Sequence, residues 1–323
     1  MSNEVETFDF STKEPNIKKY DLSKCEIKYT DMIPEPEGLL FIGTFLALSR
    51  GNISTIKGKA KARKSFFIAY LLQQVFLQNP DVSALLIDTE QSKTFVYKVL
   101  KRVYKLMDWT HENNRLKVLS LREYEVLQRR EILLQAVAEY KSDFIVLDGG
   151  VDIISDFNNA DESKQVVGIL MKLSTDYNCH IINVLHEGKS NGELRGHFGA
   201  EMLNKSETVF EVVKDGEVSN VLPYATRNAP FEEFSFMINE HGLPVYNGTI
   251  EKVSKKDQNE MNMKFNFTKL LANGKMLEYE VLAAEYKEIA GCETRTAKSH
   301  ISKMLKTGFI KKAGSMYVLT GLE

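Results

Sequence analysis

Apolar and polar positions alternate in blocks along most of this chain. A β-branched run over 51–57, GNISTIK, predicts a short strand. Residues 65–78, SFFIAYLLQQVFLQ, are apolar at helical spacing. SALLIDTE (83–90) reads as a buried strand ending in acids, and 94–107 as an amphipathic helix. LKVLSL (116–121) predicts a strand, 123–140 a helix, and DFIVLDGG (143–150) another buried strand. A helix over 164–177 and a strand in HIINVLHEG (180–188) complete the series. Apolar strands that alternate with amphipathic helices predict an α/β domain with a mainly parallel sheet. Past Thr208 the pattern turns to short strands and turns, as antiparallel additions at a sheet edge require.

Both ends of the chain depart from this pattern. Residues 1–36 are polar, carry Pro15, Pro34 and Pro36, and have no clear period. They read as an arm lying on a neighbouring subunit, or as a partly disordered tail. The α/β domain then spans 37–250. Residues 251–263, EKVSKKDQNEMNM, are charged and weakly apolar and read as a linker. A compact unit over 264–323 holds helical pattern to Ala290, a turn at GCET, an amphipathic helix ended by Gly308, and a hairpin turning at 313–315.

Bulk composition narrows the classes. The chain has 323 residues, 43% of them apolar, enough for one large core and a small satellite. Its net charge is -2, so nucleic-acid contact must come from local patches. Cys25, Cys179 and Cys292 are scattered, without metal-ligand spacing, as in a reducing cytosol. The acidic start MSNEVETFDF has no apolar signal core, and no apolar run reaches the ~20 residues that span a bilayer. The expectation is a soluble cytoplasmic protein with no membrane partner.

Candidate chemistry centres on GKAKARKS, 58–65. The phosphate-loop pattern G-x-x-x-x-G-K-[ST] is met at Gly58, Lys64 and Ser65, between a strand and an apolar helix. Such a loop aims backbone N–H groups at phosphates, with a lysine on the outer phosphates and a hydroxyl on Mg²⁺. Arg63 stands where the pattern has its second glycine. A left-handed backbone at a non-glycine costs on the order of 1 kcal/mol, which is tolerable. The arginine then points outward or adds a cation near phosphate, as Lys59 and Lys61 can.

Three strand tips supply companions. Glu90 follows a strand and can orient an attacking water, or cap the next helix. Asp148 ends four apolar residues, where an acid holds Mg²⁺ through water or is simply solvated. His186 ends a third strand, as a structural histidine or as one more group on the shared carboxyl edge. The carboxyl edge of an open α/β sheet is where ligands bind.

In order and spacing, GKAKARKSFF, LLIDTEQS, FIVLDGG, NVLHEGKSNGELRGHFGAEMLNKSETVFEV and ATRNAP resemble the RecA/DnaB-type P-loop ATPases. The likeness is greatest to the RepA-type helicases and AAA-family ATPases of bacterial plasmids and mobile elements, particularly those of the Bacteroides group. It runs from about Leu39 to Val245 and implies a RecA-like P-loop NTPase core. Gly58, Lys59, Ala60, Lys61, Ala62, Arg63, Lys64, Ser65 and Phe66 would then bind ATP. Ser65 and Asp148 would hold Mg²⁺, and Glu90 would be the catalytic glutamate. His186 would link the γ-phosphate to a DNA-facing loop with Lys189 and Arg195. Arg227 would reach a neighbouring subunit's site as an arginine finger, or is a surface hairpin arginine; the family's lysine of that segment is here Ala225.

RTAKSHISKMLKTGFIKKAGSMYVL resembles the recognition helix and wing of winged-helix domains, a small α+β fold. Arg295, Lys298, Ser299 and Lys303 would meet phosphates or base edges, and Lys311 and Lys312 would grip the backbone. The resemblance implies an oligomeric DNA-dependent ATPase of a plasmid or mobile element, a hexameric ring or a filament. It would hydrolyse ATP with Mg²⁺ at subunit interfaces and act on single-stranded DNA through its central loop and on duplex through the winged helix. The competing readings are an ATP-switched DNA-binding regulator, and a helicase loader or adaptor whose C-terminal unit docks replication or mobilisation proteins.

Overall fold

The computed structural model describes residues 21–188, 194–250 and 255–320. A hairpin of β1 (Gly38–Ile42) and β2 (Phe45–Ser49) leads into β3 (Ile53–Gly58). There follow α1 (Lys64–Gln78), β4 (Ala84–Asp88), α2 (Lys93–Leu106), β5 (Leu116–Ser120), α3 (Val126–Tyr140) and β6 (Phe144–Asp148). Next come α4 (Ala160–Asp176), β7 (His180–His186), α5 (Gly196–Lys205), and four strands, β8 (Thr208–Asp215), β9 (Val218–Thr226), β10 (Phe234–Ile238) and β11 (Pro244–Thr249).

Nine strands form one sheet in the order β11-β10-β9-β8-β3-β7-β6-β4-β5. The six from β8 to β5 run parallel, and β9, β10 and β11 add antiparallel strands at one side. The expected α/β class and mainly parallel sheet are therefore present, antiparallel extension included. Strands β4 and β6 read as unbroken apolar runs up to their terminal aspartates because both faces are covered. Phe144 and Val146 of β6 enter the core under α1 and α2. Ile145 and Leu147 enter the core under α3, α4 and α5. Among the described residues no helix is long and apolar enough to cross a membrane.

Helix starts differ from the pattern-based boundaries where capping intervenes. Helix α3 begins at Val126, not 123, because Glu125 and Gln128 form a reciprocal capping box. Helix α4 begins four residues before Lys164, where the Asn159 side chain accepts from the N–H groups of Asp161 and Glu162.

The C-terminal unit is built from α6 (Lys255–Leu270), β12 (Leu277–Glu278), α7 (Tyr279–Ala290), α8 (Thr294–Lys306), β13 (Ile310–Ala313) and β14 (Met316–Leu319). The three strands pair in the order β12-β14-β13. The expected helix, turn, helix and hairpin order is present. The expected linker is not: 255–263 belong to α6, whose Met263, Phe267 and Leu270 are buried with Leu282, Tyr286 and Ile301. These three apolar residues, spaced for one helical face, anchor a largely polar helix, and Phe267 stacks on Tyr286 with ring centroids 4.3 Å apart.

Candidate functional site

The register of the parallel strands collects the chemistry. Gly58 is level with His186, and Asp88 with Asp148. All four end their strands at the carboxyl edge, and the turn after β4 carries Glu90 and Gln91 to the same place.

The loop between β3 and α1 has two left-handed residues, Lys61 (φ 64°) and Arg63 (φ 69°), separated by buried Ala62. Backbone of this kind turns successive N–H groups toward one concavity. Gly58 is required by a close approach, since a Cβ there would lie 2.5 Å from the Val212 carbonyl of β8. Gly149 is required at φ 95°, where a Cβ would strike the Thr89 hydroxyl. Arg63 adopts the left-handed conformation expected for the missing glycine. Its side chain leaves the loop and donates to the carbonyls of Glu217 (2.6 Å) and Gly216 (3.4 Å) in the β8–β9 turn.

Lys64 is buried. Its ammonium donates to the carbonyls of Gly58 (2.9 Å) and Lys59 (3.0 Å) and stands 3.0 Å from His186 Nδ1. Burial lowers its pKa, while Asp148, Glu90 and Glu187 pull the other way. The far side of the imidazole, Nε2, meets Glu90 Oε2 at 3.2 Å. This contact holds the Glu90 carboxyl below its ordinary range. Lys64, His186 and Glu90 thus form one continuous polar chain.

Asp148 is pushed up to about 7, first by burial and then by the neighbouring Asp88 and Glu90 carboxylates. Burial also raises Asp88, whose Oδ1 accepts from the backbone N–H groups of Glu90 (3.0 Å) and Gln91 (2.7 Å). The Gln91 amide nitrogen lies among Asp88 Oδ2 (2.8 Å), Asp148 Oδ2 (3.3 Å) and Ser65 Oγ (3.5 Å). One donor thus occupies the centre of an all-oxygen set with two carboxylates. That is a donor set suited to a hard divalent cation, and Ser65 and Asp148 fit Mg²⁺ on this ground.

Lys64, Ser65, Glu90, Gln91, Asp148 and His186 line a cavity of about 480 Å³ that continues along α2 past Phe95, Lys98 and Arg102. The Arg102 guanidinium stacks 3.8 Å above the Phe66 ring, a flat surface at the cavity's end. Of the loop residues expected to bind nucleotide, Lys61 through Phe66 line this cavity, whereas Lys59 and Ala60 are exposed on the rim and Gly58 is buried beneath.

Other expected residues lie elsewhere. Thr226 is level with Thr208 at the amino end of the sheet, so Arg227 sits at the edge opposite Lys64. There its guanidinium donates to the Lys205 carbonyl (2.9 Å). Arg195 is exposed at the start of α5 and donates to the Glu187 carbonyl (3.2 Å). Lys189 lies outside the described residues. In the C-terminal unit Arg295, Ser299 and Lys312 are exposed. Lys298 is paired with Glu280 (3.0 Å) and Lys303 with Glu260 (3.2 Å), so two of the expected cations are partly neutralised within the unit.

Pattern reasoning did not assign Gln91, Arg102 or a buried cluster beneath the loop. In that cluster Lys57, 2% exposed, pairs with Glu187 (3.4 Å) and Glu211 (2.9 Å) and lies 3.6 Å from the centroid of Tyr224. The available signal was a lysine inside a strand with no other charged residue, with one acid after His186. The chain matches no protein-family model, and no curated protein matches it.

Proposed function

We propose that the chain is a Mg²⁺-dependent ATPase with a RecA-like P-loop core, working as an oligomer on DNA. The observation that carries this reading is the polar chain Lys64–His186–Glu90, set beside Ser65, Asp148 and Asp88 at one sheet edge. A fold needs none of these groups there for packing, and together they cover the requirements of phosphoryl transfer. ATP would supply the phosphoryl group, and Mg²⁺ held by Ser65 and Asp148 would supply neutralisation of the developing charge. Lys64 exchanges its loop carbonyls for phosphate oxygens. Glu90 orients the attacking water, and its depressed pKa keeps it ionised for that work. His186 carries the change from Lys64 and Glu90 into the segment after β7, which is the proposed DNA-facing loop. Arg227 acts only from a neighbouring subunit, because its own cavity is at the other end of the sheet. The C-terminal unit is a winged helix that meets duplex DNA through Arg295, Ser299 and Lys312.

The test is ATP turnover with Mg²⁺, with and without single-stranded DNA, beside Lys64→Ala and Glu90→Gln. Turnover stimulated by DNA and lost in both variants supports the motor. Tight ATP binding without turnover, with a change of oligomer size, moves the reading to a nucleotide-switched regulator.

A further inference from the structure

Helix α2 carries Lys93, Lys98, Lys101, Arg102 and Lys105 and no acid, in a chain whose net charge is -2. Val99 and Val103 bury one side of it in the core. Lys98, Lys101 and Lys105 are exposed on the other side, three and four positions apart, so they form one row along the helix. Among the described residues no carboxylate pairs with any of the three, whereas Lys93 at the start of the helix is taken by Glu123 (3.0 Å). Two of the ammonium groups lie over aromatic rings instead, Lys98 4.6 Å from the centroid of Phe95 and Lys101 4.6 Å from that of Tyr97. Phe95 is 55% exposed and Tyr97 54%. Solubility alone asks for the lysines and not for half-exposed rings between them.

The row begins at the 480 Å³ cavity, which Phe95 and Lys98 line, and leads to a second hollow at the carboxyl end of α2. That hollow encloses about 770 Å³ and is lined by Tyr97, Leu100, Tyr104 and Trp109, with Lys101 and Lys105. Tyr104 and Trp109 meet edge to face with centroids 5.3 Å apart, and Phe76 backs the indole at 5.2 Å. The Tyr104 hydroxyl accepts from the Asn113 N–H (2.9 Å), which holds its ring in place. Asp108 and Glu112 also line the hollow, and neither is paired with a lysine among the described residues. Fixed rings and uncompensated cations therefore share one concave surface.

We infer that the outer face of α2, with this hollow, binds single-stranded nucleic acid. The lysines take phosphates and the rings take bases. Cations alone would serve any polyanion, and the rings beside them make the selection. A single strand offers free base faces for stacking. A duplex keeps those faces stacked inside, and a lipid headgroup has none. The lysine row runs about 10 Å along the helix axis, so the contact covers a few consecutive nucleotides. The inference adds a surface to the DNA contacts proposed above and uses none of the residues assigned to DNA there.

The test is photo-crosslinking of the full chain, without ATP, to oligothymidylate carrying 5-iodouracil at single positions, read by mass spectrometry. Crosslinks are expected at Tyr97, Tyr104 or Trp109. In anisotropy titrations at several salt concentrations, Lys101→Gln combined with Lys105→Gln is expected to reduce the salt slope by about 1.4, or about 0.7 for each phosphate contact. Tyr97→Ala is expected to weaken binding about ten-fold. All three positions are exposed, so the thermal melts should stay in place. Oligouridylate in the same titration assigns the strand as DNA or RNA, and these losses on either one support the inference. Crosslinks confined to other elements, or an unchanged slope and affinity, overturn it. So do equal losses on a duplex, and losses confined to phosphatidylserine vesicles, which would make the face a membrane contact. ATP turnover separates this inference from the proposed function, since none of the three residues lines the 480 Å³ cavity. Crosslinks on α2 in a protein without turnover keep the surface and discard the ATPase; turnover without those crosslinks does the reverse.

Discussion

The guanidinium of Arg63 lies 2.6 Å from the carbonyl oxygen of Glu217, across the gap between the β3–α1 loop and the β8–β9 turn. The residue that replaces a glycine thus pays for its left-handed backbone with a bond on the side away from the cavity. Arg63→Ala keeps the strain and loses the bond, whereas Arg63→Gly loses both. Arg63→Ala is expected to destabilise by about 1–2 kcal/mol and Arg63→Gly by less than about 1 kcal/mol. Urea unfolding of the pair checks the order. ATP affinity should survive in Arg63→Gly.

Asp148 gives the ligand-free protein a distinct pH signature. An unfolded aspartate titrates near 3.9, and this one is held at about 7 by burial beside Asp88 and Glu90. Between those values the native state keeps a proton that the unfolded state has released. Stability therefore falls as pH rises through that window, by up to about 1.4 kcal/mol per unit from this group. Glu90, held below its ordinary range, stays ionised throughout. Thermal melts should show Asp148→Asn gaining on the wild type from pH 5 to pH 8. Stabilisation by Mg²⁺ should grow over the same interval, because the cation needs the ionised carboxylate.

Lys57 holds two carboxylates in the interior, so its removal leaves both without their cation. Lys57→Met is expected to cost about 3–5 kcal/mol in denaturant unfolding. Adding Glu211→Gln should return part of that loss, since one of the stranded charges is then gone. Additive losses in this double variant would mean that the pairs do not act as a unit.

In the C-terminal unit the ion pairs rank the cations. Arg295→Ala and Lys312→Ala should weaken binding to duplex DNA and reduce the salt slope by about 1 for each lost phosphate contact. Lys298→Ala and Lys303→Ala should change binding less, because Glu280 and Glu260 already neutralise these lysines. Titrations at several salt concentrations separate the two groups.

Much of the core could be read from pattern alone, because the central strands are buried on both faces and end in a glycine, an acid or a histidine. That is why Gly58, Asp148 and His186 were found at strand tips, and Glu90 just past one. What escaped depends on register or on distant partners. Nothing near Gln91 in the chain says that its amide will face Ser65, which is 26 positions away. The partners of Lys57 come from β8 and from beyond β7. Helix α6 was hidden by its charge: Met263, Phe267 and Leu270 carry its packing among polar neighbours, which gives a weak periodic signal. Helix starts slipped by three or four residues where Glu125 and Asn159 act as caps.

Arg227 and Lys64 mark the two ends of the central strands, roughly 13 Å of β-structure apart at the least. No hinge within one chain brings them together while the sheet stays paired. Under the proposed role each molecule therefore carries a lock at one end and a key at the other, and the key fits only someone else's lock. Dilution would then act as an inhibitor: turnover per chain would fall as the protein is thinned, although every fold remained intact.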